Sequence, residues 1–124
     1  HTSPPAFALC IQQLSDGLYF EAHESLEGIW GEAPYPLKLF YYALIKLSVG
    51  LLQLERHNGR AATTQLSVAV QYLAPFAPVF MGLKAASLVD QAENRLALLR
   101  GVRRVDWPAM DRLQRVAFTT DPKP

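Results

Sequence analysis

His23 and Glu27 stand four residues apart, and on a helix that spacing sets an imidazole and a carboxylate one turn apart along one face. Such a pair supports three kinds of chemistry. It supplies two of the three or four ligands a transition metal needs. It can serve as a general base with its orienting partner. Or it forms a polar pair in a helix interface, held by hydrogen bonds and a counter-charge. On the helical wheel Tyr19, Ala22, His23, Leu26, Ile29 and Trp30 share an arc, Glu27 lies at its edge, and Glu21, Glu24 and Ser25 point away. A second polar stripe, farther along the chain, comprises Lys38, Tyr42, Lys46, Val49, Gln53 and Arg56, all within about 80° of one another at the helical step of ~100°.

The surrounding sequence favours the third chemistry. The remaining imidazoles are His1 and His57, and no HExxH, CxxC or paired Glu-x-x-His pattern is present. No glycine-rich phosphate loop and no evident nucleophile accompany the pair. Cys10 has no histidine near it in sequence and reads as a small core residue. The expected arrangement has His23 donating to Glu27 or to a backbone carbonyl, Lys46 neutralising Glu27 across the interface, and Trp30 packed in the core. The candidate pocket then comprises Tyr19, His23, Glu27, Trp30, Tyr42, Lys46, Gln53 and Asn58.

These residues need helices to position them, and the composition supplies them. Half of the 124 residues are apolar and 19% are charged, which suits one globular domain over 1–124 with a sizeable core. The single cysteine permits no internal disulfide and favours a reducing, cytoplasmic setting. No signal peptide is expected. The longest apolar run, Leu39 to Leu54, is interrupted by Lys46 and is short for a span, so it reads as a buried helix and no membrane partner is expected. The net charge of +1 conceals an asymmetry: residues 1–55 hold Lys38 and Lys46 against six acids, and residues 56–124 hold ten cations against five. Arg95, Arg100, Arg103, Arg104, Arg112 and Arg115 carry most of the basic share. They form either a nucleic-acid surface or a solvated face balancing the acidic half.

Along the chain, Ser3-Pro4-Pro5 opens a helix through about Leu14, with Phe7, Cys10, Ile11 and Leu14 at helical spacing. Ser15-Asp16-Gly17 is a turn expected to cap a second helix, Leu18 to Trp30. A third helix runs from about Leu37 to Arg56, apolar around most of its circumference. Asn58 or Gly59 is expected to end it and to cap a fourth, Arg60 to Leu73, with Ala62, Leu66, Ala69, Val70 and Leu73 inward. A fifth, Ala85 to Arg100, turns Leu88, Val89, Ala92, Leu96 and Leu99 inward. Asp106-Trp107-Pro108 opens an arginine-rich last helix over 106–118, and the tail from Thr119 is expected to fray. No strand-like alternation and no repeat are visible, so the fold class is all-α: a single-domain bundle of about five main helices with short connections.

Phe20-Glu21-Ala22-His23-Glu24, with Leu26-Glu27 and Trp30, resembles the signature H-x-x-x-E-x-x-W of a small prokaryotic all-α family, domain-of-unknown-function family 309. Asp16-Gly17 and Tyr19 resemble its approach to the motif. The likeness continues through Phe40, Leu44-Ile45, Leu54, Asn58, Ala62, Pro78 and Met81-Gly82-Leu83, covering roughly residues 7–90. The resemblance implies the helical fold and brings no reaction with it. Where that family commonly has Gln, Gln and His on its third helix, this chain has Tyr42, Lys46 and Gln53, and His57-Asn58 stands for its helix-ending Gly-Asn. The departures fall on the stripe facing the motif.

The sequence reading is therefore a non-catalytic binding or interaction module with a polar pocket between the second and third helices, requiring no cofactor. One alternative is a hydrolase-like or metal-dependent enzyme with a divalent ion on His23 and Glu27. Another is a nucleic-acid-binding accessory protein using the basic C-terminal third. An apolar third helix that 124 residues do not fully cover would suit a homodimer.

Overall fold

Among residues 5–121, which the computed structural model describes, the chain forms six α-helices and one turn of 3₁₀ helix. His1 and the expected cap at Ser3-Pro4 lie outside these residues. The helices are α1 (Pro5–Ser15), α2 (Tyr19–Trp30), α3 (Leu37–Glu55), α4 (Gly59–Leu73), α5 (Ala85–Leu99) and α6 (Trp107–Asp111). The architecture is all-α, as the periodicities predict.

The turn after α1 works differently from expectation. Gly17 takes φ +78°, its N–H donates to the Leu14 carbonyl (3.1 Å), and the Leu18 N–H donates to the Gln13 carbonyl (2.9 Å). These two bonds satisfy the last carbonyls of α1, so the glycine closes α1 rather than capping α2. Leu18 occupies the N-cap of α2 and offers no side-chain cap. Asp16 instead accepts a hydrogen bond from Gln12 Nε2 (3.0 Å).

The same closure recurs after α3 with an unexpected residue. His57, at φ 55°, donates its N–H to the Leu54 carbonyl, and the Asn58 N–H reaches the Gln53 carbonyl. His57 therefore ends α3, where Asn58 or Gly59 was expected. Asn58 does cap α4, its side chain accepting from the Ala61 N–H (3.1 Å). A left-handed backbone at a non-glycine residue costs about 1–2 kcal/mol, and His57 has contacts that offset it: its ring stacks on Trp107 at 4.4 Å and 9°.

Helix α3 is the central element. Phe40, Ala43, Leu44, Leu47 and Ser48 are fully buried, and the Ser48 hydroxyl is satisfied by donating to the Ile45 carbonyl (2.8 Å). By length and composition α3 would be long enough to cross a membrane, but in this fold α4 packs along one side and α2 along another. The α3–α4 contact is close because Gly50 has no side chain: a Cβ there would stand 2.6 Å from Leu66 Cδ2. From α4 come Ala62, Leu66, Ala69 and Leu73, all buried and on one face. Beyond α4, Phe76 and Phe80 close on Phe40, with ring centroids 5.2 and 4.8 Å away.

The C-terminal region departs most from expectation. Helix α6 stops at Asp111 instead of continuing to Phe118. From Gln114 to Asp121 the chain is an extended strap across α5. The Gln91 side chain clamps it from both sides, donating to the Ala117 carbonyl (3.0 Å) and accepting from the Ala117 N–H (2.8 Å). Arg95 Nη2 donates to the Gln114 carbonyl (2.7 Å), the Lys84 N–H to the Thr119 carbonyl (2.9 Å), and the Asp121 N–H to the Gly82 carbonyl (2.6 Å). Val116 and Phe118 point inward and are buried, the alternation of a strand rather than a helix. Thr119–Asp121 is therefore tied down, not frayed.

Candidate functional site

The motif residues on α2 remain at the surface of the bundle. His23 Nε2 lies 3.4 Å from Glu27 Oε2, with the side chains 25% and 55% exposed. A contact this open contributes little, about 0–1 kcal/mol even for two full charges. Lys46 does not neutralise Glu27. Its ammonium stands 5.3 Å from the Tyr42 ring centroid, and Tyr42 meets Tyr72 of α4 edge-on at 5.0 Å. At Tyr42 the facing stripe therefore meets α4, and no hydrogen bond, ion pair or ring contact among the described residues joins Tyr42 or Lys46 to His23 or Glu27. Among the described residues no three His, Cys, Asp or Glu side chains come together as a metal-ligand group.

Trp30 is partly buried and has an unforeseen partner. Lys38 Nζ sits 4.7 Å from its ring centroid and donates to the carbonyls of Gly31 (2.9 Å) and Trp30 (3.4 Å). A lysine at the carbonyl end of α2 satisfies orphan acceptors and complements the helix dipole. Gln53 is partly buried on α3, and Asn58 acts as a cap. The eight candidate residues thus do not converge on one pocket.

Tyr19 does line one. A cavity of about 470 Å³ opens where the start of α2, the end of α3, α5, α6 and the strap meet. Its walls carry Tyr19, Glu55, Arg95 and Arg115, flanked by Asp16 and Asp111, over an apolar floor that includes Leu51, Leu54 and Val116. Gly17, closing α1, also lets Arg115 approach: its guanidinium would stand 2.9 Å from a Cβ at that position.

Arg95 is the unusual member. It is 8% exposed and donates to two backbone carbonyls, Gln91 (3.1 Å) and Gln114 (2.7 Å), but no carboxylate among the described residues lies within ion-pair distance. Buried charge is ordinarily paired. Desolvation pulls the Arg95 guanidinium below its ordinary range, offset in part by Tyr19. Burial pushes the Tyr19 phenol up, and Glu55 adds to the rise, while Arg115 and Arg95 oppose it. The four side chains form one electrostatic group. The Tyr19 hydroxyl makes no hydrogen bond within the described protein, although the residue is 6% exposed. Among residues Arg115 touches is the Ser15 carbonyl (3.3 Å), a neutral acceptor.

The six arginines do not present one surface. Arg95 is withdrawn into the cavity wall, Arg115 lines the same cavity, and Arg100 bonds the Ser67 hydroxyl (2.8 Å). Arg103, Arg104 and Arg112 remain exposed. Sequence reading missed Arg95 as a buried residue, although Leu88, Ala92, Arg95, Leu96 and Leu99 follow the helical period and place it on the inner face of α5. It also missed the pairing of His57 with Asp111, at 2.9 Å, which fastens α6 to the α3–α4 corner. A second cavity, about 700 Å³ and lined mainly by apolar residues such as Leu39, Phe76 and Phe80, lies at the other end of α3.

Residues 7–65 match the family model described as Domain of unknown function (DUF309), so this part of the chain is similar to that family. The match spans α1 to the first half of α4. No curated protein and no solved structure matches the chain at a significant level.

Proposed function

We propose that the protein is a non-catalytic binding module whose small-molecule site is the cavity between the start of α2, the end of α3, α5 and the C-terminal strap. The observation that carries this reading is Arg95, a buried guanidinium without a carboxylate partner among the described residues, on the wall of a cavity of about 470 Å³. Pockets for small ligands run to about 300–1,000 Å³, and this cavity falls within that range with several charged groups on its walls. An anionic group in this cavity would supply the missing counter-charge. The uncapped N-terminus of α2 beside Tyr19 adds backbone N–H groups and the positive end of a helix dipole. His23 and Glu27 receive no catalytic role, because neither lines either cavity.

The test is ligand-observed NMR with a mixture of small carboxylates, inorganic phosphate and free amino acids, on the native protein and on Arg115→Ala. Arg115 is exposed and its loss leaves the core intact. At least one component is expected to bind the native protein and to bind the variant about tenfold more weakly, the loss of one charge-assisted contact. Binding that is unchanged in Arg115→Ala places the ligand elsewhere and overturns the reading.

A further inference from the structure

The pattern of engaged and unengaged charges around the cavity narrows the ligand. Of its three carboxylates, Asp16 accepts from Gln12 (3.0 Å) and Asp111 holds His57 (2.9 Å). Glu55 has no hydrogen bond or ion pair within the described protein. Arg95 and Arg115 are bonded to backbone carbonyls alone. Glu55 and the two guanidiniums share the cavity, yet they stand beyond ion-pair distance of one another. The cavity thus keeps one negative and two positive groups apart, each open to a partner.

Three ligand classes fit this pattern poorly. A polyanion would satisfy the arginines but face Glu55, Asp16 and Asp111 together. A simple cation would meet Glu55 but approach Arg95, whose charge is already desolvated and cannot be given up at neutral pH. A wholly apolar molecule would leave Arg95 buried and unpaired and would offer nothing to Glu55 or Arg115. A zwitterion with its charges a few bonds apart satisfies both sides. The floor of Leu51, Leu54 and Val116 then calls for an apolar substituent beside the charged end.

We infer that the cavity binds a free α-amino acid with an aliphatic side chain. Its carboxylate meets Arg95, Arg115 and the free Tyr19 hydroxyl, and its ammonium meets Glu55. This rests on the binding reading above and names the ligand class of the same site.

Calorimetric titration with L-leucine, N-acetyl-L-leucine and L-leucinamide separates the possibilities, since the second lacks the cation and the third the anion. Leucine is expected to bind, and each derivative to bind about tenfold or more weakly, as when one charge-assisted hydrogen bond is lost. Glu55→Gln, an exposed and near-isosteric change, is expected to weaken leucine by a similar factor and leave N-acetyl-L-leucine unaffected. N-acetyl-L-leucine binding as well as leucine would overturn the zwitterion assignment while leaving an anion site standing. L-glutamate binding more tightly than leucine would overturn the aliphatic preference. If none of these probes, nor acetate or phosphate, binds at millimolar concentration, both the ligand class and the binding reading fall.

Discussion

Burial holds the Cys10 thiol at a pKa of about 11, because the thiolate would have to form without water on the inner face of α1. Two outcomes follow. The native protein is expected to resist aromatic disulfide reagents at pH 8 and to react fully once denatured, with the labelling rate tracking unfolding. The folded pKa is raised above the unfolded value of 9.0, so the stability this residue contributes is complete below pH 9 and is lost as pH climbs through 11. The slope in that window reaches about 1.4 kcal/mol per pH unit at most. Thermal denaturation of the native chain and of Cys10→Ala between pH 8 and 11 checks this, and parallel curves for the two would refute it. Cys10 was legible in the sequence because Phe7, Cys10 and Leu14 keep the helical period. Arg95 keeps its helix's period as well, but charge argued for solvent. Its burial depends on a strap whose carbonyl at Gln114 lies 19 residues farther on, and no local pattern reports that.

At the scale of elements, the close crossing of α3 and α4 rests on Gly50. A methyl group there meets Leu66 Cδ2 at 2.6 Å and Cγ at 2.8 Å, with the Leu66 backbone nitrogen at 3.2 Å. Overpacking of a tight interface costs about 1–3 kcal/mol, against a helix-propensity gain of about 1 kcal/mol for replacing an interior glycine by alanine. Gly50→Ala is therefore expected to lower stability modestly despite the better helix former. The diagnostic is a double-mutant cycle by urea denaturation. Leu66→Ala removes the obstructing carbons, so the pair should be less destabilising than the sum of the singles, by about 0.5–3 kcal/mol for contacting residues. Simple additivity would mean that the helices part without resistance. Helices α1, α3, α4 and α5 were readable from apolar spacing to within a residue or two. The two closures were less readable, because which residue adopts positive φ is settled by its partners. His57 takes that role with Trp107 and Asp111 alongside, contacts that come from far along the chain, 54 residues away for Asp111. The polar stripe divides between two neighbours, which periodicity does not report: Lys38 reaches Trp30 at the end of α2, whereas Tyr42 meets Tyr72 of α4 rather than His23 and Glu27.

In the whole molecule, the site joins two parts of the chain with different standing. Tyr19, Leu51, Leu54 and Glu55 fall within the family-matched residues 7–65, whereas Arg95, Asp111, Arg115 and Val116 lie beyond them. The positive half of the cavity is thus contributed by α5 and the strap, and the strap must stay closed for the two halves to act together. Arg115 reaches back across 100 residues to the Ser15 carbonyl, so the strap also binds the end of the chain to its beginning. Its principal clasp is the Gln91 amide, which fills both hydrogen-bonding positions of Ala117. Gln91→Ala removes both bonds without touching the cavity lining. At a net 0.5–1.5 kcal/mol per hydrogen bond, lower where exposed, opening becomes easier by about 1–2 kcal/mol, a factor of roughly 5–30 in the open population. When opening and closing are fast relative to cleavage, proteolysis follows that population. Trypsin is therefore expected to cut after Arg112 and Arg115 some 5- to 30-fold faster in Gln91→Ala than in the native chain. Cleavage after Arg56 and Arg60, at the α3–α4 corner, should stay unchanged. A general acceleration at all sites would instead report global destabilisation. Unchanged cleavage at Arg112 and Arg115 would mean that Val116 and Phe118, by their burial, hold the strap without the clasp.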